Sequence, residues 1–101
     1  MHSIQILLPL FKQGEPFPKH YYSDLRTGLT EKFGGITIYT RSPATGFWKE
    51  SDDKTVRDEI IIFEVMSNEL DKQWWEGCRK RLEELFSQDE IIIRTWEIDL
   101  L

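Results

Sequence analysis

The stretch from Phe33 to Trp48, FGGITIYTRSPATGFW, decides the fold. Gly34-Gly35 separates a helical pattern from an alternating apolar one, and the first glycine suits the left-handed conformation that caps a helix C-terminus. Ile36 to Arg41 then alternates with period two, as a strand with one buried and one exposed face must, so Thr37, Tyr39 and Arg41 share the second face. A Gly-Gly pair also occurs in phosphate loops, but those lie between a strand and a helix N-terminus, where backbone N–H groups converge. Here the order is helix then strand, which favours the cap. Ser42 to Gly46 reads as a bend, because the residue before proline is pushed extended and glycine allows positive φ. Phe47 and Trp48 follow as an aromatic pair expected to pack under that bend.

Upstream, Ser3 to Leu10 is a strand with Ile4, Ile6, Leu8 and Leu10 on one face and Leu7 making the other partly apolar; Pro9, which lacks a donor, belongs at its end. Phe11 to Phe17 has too few periodic apolar residues to be an element. Pro18 suits the first turn of a helix, along which Tyr22, Leu25, Leu29 and Phe33 recur at three- and four-residue spacing.

Downstream, the chain is polar from Lys49 to Lys54 and strand-like from Thr55 to Met66, which predicts a hairpin turning at Asp52-Asp53. That acidic pair lacks the glycine and the terminal glutamate of a calcium loop. Ile60 to Met66 is apolar on both faces except for Glu64, as a central strand is. Ser67 or Asn68 is the expected cap of a second helix, with Asp71 completing a capping box. Leu70, Trp74, Cys78, Leu82 and Leu85 form its expected buried stripe, with Trp75 and Phe86 at the margins. The Arg79-Lys80-Arg81 run is answered by Glu76, Glu83 and Glu84, a solvated face. Ile91 to Ile98 is the last strand, with Arg94 and Trp96 on the same side as Ile92 and Ile98.

A chain of 101 residues with 40% hydrophobic content is expected to form one domain with one core, residues 1–101. The single cysteine excludes an internal disulfide, and His2 and His20, far apart, offer no metal-ligand set; no metal or cofactor is expected. No apolar run is long enough to span a bilayer and no basic leader opens the chain, so the expected location is cytoplasmic. A formal charge of −5 argues against a partner held through phosphates, such as nucleic acid.

The element order, β, α, β, hairpin extension, β, α, β, predicts an α+β ferredoxin-like βαββαβ domain: a four-stranded antiparallel sheet in spatial order 4-1-3-2, both helices on one face, and a small hairpin extension between strands 2 and 3. Alternation then fills the open face with Gln5, Leu7, Thr37, Tyr39, Arg41, Ile60, Ile62, Glu64, Ile92, Arg94, Trp96 and Ile98. That face is too apolar for water and too polar for an ordinary core.

The combination of Phe33, Gly35, Ile36 and Thr37, then Gly46 and Trp48, then Glu59 opening a long strand is similar to an uncharacterised bacterial family of small ferredoxin-like proteins, a domain of unknown function. This chain departs from that pattern in the five residues Arg41 to Thr45 before Gly46. The resemblance implies the ferredoxin-like fold and a role for the Gly46/Trp48 corner, and nothing catalytic.

The sequence therefore supports an interaction or assembly module that forms a homodimer through the open sheet face. The alternative is a small-molecule-binding protein or cofactor-free enzyme, with a site between the sheet face and the 42–48 loop for an anionic or carbonyl ligand. Tyr39, Arg41, Trp48, Glu64, Arg94 and Trp96 are the candidate interface or ligand-binding residues under either reading. The competing structural reading pairs Glu64 with Arg41 or Arg94 across the sheet. No Ser/His/Asp or Cys/His set can be assembled from spacing. Base stacking on the sheet, as in RNA-recognition domains, is disfavoured because Tyr39 and Trp96 fall on outer strands and the central strands offer Leu7 and Ile62.

Overall fold

A computed structural model describes residues 1–40 and 59–101 in full, and 45–51 and 54–58 as backbone. The principal strand is β1 (His2–Pro9), whose residues Ile4, Ile6 and Leu8 point into the core while Ser3, Gln5 and Leu7 point away from it. Pro9 ends it, as its missing donor requires. Residues 11–16, expected to be irregular, instead make a two-rung ribbon of β2 (Phe11–Lys12) and β3 (Glu15–Pro16). Gln13 and Gly14, both at positive φ (52° and 80°), turn it in the manner of a tight two-residue hairpin. Strands this short carry no periodicity to read.

Helix α1 (Lys19–Phe33) begins one residue after its expected start, with Pro18 as the N-cap, and stops at Gly34, whose φ of 84° is the left-handed cap read from the sequence. Its inner face carries Leu29, with Tyr21, Tyr22, Leu25 and Phe33 packed against the core. Strand β4 (Thr37–Tyr39) follows.

Strands β5 (Thr45–Ser51) and β6 (Lys54–Ser67) form the hairpin, paired from Thr45↔Glu59 to Ser51↔Lys54. The expected turn at 52–53 lies outside the described residues, as do positions 42–44 of the expected Ser42–Gly46 bend; Thr45 and Gly46, with Phe47 and Trp48, stand within β5 and not in a bend or loop. The second half of β6 pairs with β4 on one side and β1 on the other, and β7 (Ile92–Glu97) pairs with the far edge of β1. The resulting order β4-β6-β1-β7, all antiparallel, is the expected ferredoxin-like sheet, and the β5/β6 hairpin is its extension.

Helix α2 (Lys72–Leu85) starts later than the sequence suggests. Pairing of β6 with β1 runs to His2↔Ser67, which holds Ser67 in the strand, and the cap becomes Asp71, whose Oδ1 accepts from the Trp74 N–H at 3.0 Å. The most buried residues of this segment are Trp75, Cys78, Leu82 and Phe86; Leu70 and Trp74 of the expected stripe are half-buried against the core, and Leu85 is exposed. Burial pushes the Cys78 thiol up, against the opposing influence of Arg81, so the cysteine is a packing residue. Glu83 Oε2 accepts from the Ile91 N–H at 3.0 Å and pairs with Arg79, fastening the helix end to the start of β7.

Two aromatic clusters join the helices at opposite ends. Phe33 stacks on Trp75 at 5.3 Å where α1 ends and α2 begins. Phe86, at the end of α2, meets Phe17, Tyr21 and Tyr22 at the start of α1, with centroids 4.9, 5.4 and 5.4 Å away.

Candidate functional site: the open sheet face

Both helices cover one side of the sheet, and the register arranges the other side in rows. Trp96, Ser3 and Met66 form one row across β7, β1 and β6. Arg94, Gln5, Glu64 and Thr37 form the next, and Ile92, Leu7, Ile62 and Tyr39 the third. A polar row therefore lies between two largely apolar ones. Tyr39, Arg94 and Trp96 all face away from the helices, as their strand parity requires.

The polar row is one connected network. Glu64 Oε1 accepts from Ser3 Oγ at 2.8 Å and from Gln5 Nε2 at 3.1 Å, and Oε2 accepts from the Tyr39 hydroxyl at 2.7 Å. Tyr39 sits one row away from Glu64 and reaches it diagonally. Gln5 turns its amide oxygen to β7, where Arg94 donates both Nε (3.1 Å) and Nη2 (2.9 Å) to it. The expected direct pairing of Glu64 with Arg94 is thus replaced by a bridge through Gln5. The proposed partner Arg41 lies outside the described residues, and Trp48 is placed only by its backbone, opposite Val56 in the hairpin.

Ser3 and Gln5, at 3% and 9% exposure, are the network's buried centre. Neither was singled out as a site residue, although Gln5 shares the parity of Leu7; what it faces follows only from the Gln5↔Glu64 and Gln5↔Arg94 register. Partial burial alone raises the Glu64 carboxyl, but the hydrogen bonds from Tyr39, Ser3 and Gln5 outweigh it and hold the group below the usual carboxylate range. The same bond to Glu64, with some desolvation and the carboxylate's charge, pushes the Tyr39 phenol up. Glu64 is an ionised acceptor and Tyr39 a neutral donor at neutral pH, which is the arrangement of a structural bond and not of a proton-transfer pair.

Around the network the apolar side chains are bare: Tyr39 is 44% exposed, Trp96 43%, Met66 44% and Ile92 51%. Among the described residues no helix is long and apolar enough to cross a membrane.

No protein-family model matches the chain, and no curated protein matches it in sequence. Solved structures match it in fold. A phage SAM lyase in complex with S-methyl-5'-thioadenosine superposes with a TM-score of 0.62 at 17% identity, over 95% of this chain and 80% of that one. The divalent cation tolerance protein (Cut A1) from Thermus thermophilus gives 0.59 at 14%, over 97% and 84%. The PII-like protein CutA from Nostoc sp. PCC 7120 gives 0.55 at 14%, over 98% and 82%. At these identities the likeness is one of fold: the chain shares the ferredoxin-like architecture of the CutA and PII-like proteins, built over nearly its whole length.

Proposed function

We propose that this chain is an assembly module that associates with further copies of itself through the open sheet face. The observation that carries the proposal is the row pattern: a polar row whose centre, Ser3, Gln5 and Glu64, is hydrogen-bonded within the row, flanked by rows of exposed Trp96, Met66, Ile92 and Tyr39. Such a row can be taken out of water at low cost because both Glu64 oxygens and the Gln5 amide already have partners. Its apolar neighbours supply the driving force for association. A homodimer is the simplest closed form, with the face meeting its own copy.

Light scattering of the purified protein at micromolar concentration is expected to give at least twice the chain mass of 12.1 kDa. Ile92→Glu with Trp96→Glu is expected to return it to one chain mass with its far-ultraviolet circular dichroism retained. A monomeric wild type overturns the proposal.

A second reading rests on Arg94. Its Nε and Nη2 both go to Gln5, leaving Nη1 without a partner among the described residues at an exposed edge beside Trp96. A small anionic or carbonyl ligand held there, against the Trp96 ring and at the end of the row that runs through Gln5 to Glu64 and Tyr39, is the enzyme-like alternative. Thermal-shift measurements with small carboxylates and 2-oxo acids test it; stabilisation that survives Arg94→Ala removes this assignment.

A further inference from the structure

On the opposite side of the sheet, α1 does not close fully onto the edge strand. A groove of about 320 Å³ lies between them, floored by Ile38, Ile61 and the ring of Tyr22. Its rim carries Lys19, Ser23 and Arg26, successive positions along one side of α1, and among the described residues its lining contains no carboxylate. Tyr22 is anchored to the sheet by its hydroxyl, which donates to the Pro9 carbonyl at 2.7 Å, and burial pushes its phenol up to about 12, so the groove wall is rigid and uncharged.

The charges on the rim are unanswered. Neither Lys19 nor Arg26 makes an ion pair among the described residues, in a chain whose formal charge is −5. The comparable groove between α2 and β7, about 280 Å³, is different: its Arg79 pairs with Glu83 at 3.0 Å, and beside its other cation, Lys72, it carries a carboxylate of its own, Glu76, which pairs with Lys80 at 3.5 Å. An apolar floor with two cations that make no ion pair among the described residues, and a hydroxyl, at its lip has the chemistry of a site for one kind of molecule, an organic anion with an apolar body. The volume lies at the lower end of the range for small-ligand pockets.

We propose that the α1/β4 groove binds a small amphipathic anion, its apolar body on Ile38, Ile61 and Tyr22 and its carboxylate, sulfonate or phosphate between Lys19 and Arg26; the Ser23 hydroxyl, which donates weakly to the His20 carbonyl at 3.5 Å, turns to the anion as a further donor. The site lies on the side of the sheet opposite the assembly face and operates in a single copy of the chain.

The test uses 8-anilinonaphthalene-1-sulfonate as the probe, with the uncharged N-phenyl-1-naphthylamine as its neutral counterpart. Fluorescence titration of the full chain is expected to show saturable binding of one sulfonate dye per chain. Lys19→Ala with Arg26→Ala should weaken it on the order of tenfold, the loss of charge-assisted contacts to one anion, and should leave the neutral dye unaffected. Lys80→Ala with Arg81→Ala removes the same charge from the far side of α2 and should leave the sulfonate affinity unchanged. Circular dichroism of each variant verifies that the fold is retained. Equal weakening by both double variants would show a response to net charge alone and overturns the proposal. So does unchanged affinity in the Lys19/Arg26 variant, or the absence of saturable binding in the wild type.

Discussion

The Tyr39 hydroxyl donates to Glu64 Oε2 at 2.7 Å across β4 and β6, and among the described residues it is the one side-chain hydrogen bond of the polar row that reaches the edge strand. This bond couples two titrations of opposite sense. Glu64 has a lowered pKa in the folded chain, so its contribution to stability is fully present above the ordinary carboxylate range and is lost as the pH falls through the lowered value. Tyr39 has a raised pKa, so its contribution is fully present below the ordinary phenol range and is lost as the pH rises through the raised value.

Tyr39→Phe removes the bond and keeps the ring. The Glu64 carboxyl is then expected to titrate at higher pH than in the wild type, followed by carbon NMR of its side chain, and stability near neutral pH should fall by about 0.5–1 kcal/mol in urea, a modest figure because the bond is exposed. An unchanged Glu64 titration would show that Ser3 and Gln5 alone hold the carboxylate.

Glu64→Leu should cost more. Ser3 and Gln5 are buried and both donate to Oε1, so removing the acceptor leaves two buried donors unsatisfied. A loss of about 1–3 kcal/mol is expected in urea unfolding. A neutral or stabilising result would mean that the row is dispensable to the folded chain.

The two neighbouring glycines should behave differently. Gly34 is at φ 84°, so Gly34→Ala strains the helix cap although no atom blocks the added methyl group, and about 1 kcal/mol of destabilisation is expected. Gly35 has no such φ and also faces open space, so Gly35→Ala should stay within about 0.5 kcal/mol of wild type. Equal costs at the two positions would contradict the cap.

Phe86→Ala tests the aromatic cluster that joins the start of α1 to the end of α2. Phe86 is fully buried against Phe17, Tyr21 and Tyr22, and its truncation is expected to cost about 3–5 kcal/mol, with protection of the α1 start lost in hydrogen exchange.

Which side of the sheet each strand residue faces was legible in the sequence. The alternation of Ile4, Ile6 and Leu8 against Gln5 and Leu7, and the parity of Tyr39, Arg94 and Trp96, are local properties of a pleated backbone and needed no partner to be read. The Gly34 stop is local too, since a helix end is decided within one turn. The start of α2 was not, because Ser67 is held in β6 by pairing with His2, sixty-five positions earlier in the chain, and the cap falls at Asp71. Composition and periodicity placed Glu64 on the open face, but its choice of Tyr39, Ser3 and Gln5 over an arginine depended on register and diagonal reach between strands. The face a side chain takes is set by its own backbone; the atom it meets is set by distant segments, and only the folded chain brings those together.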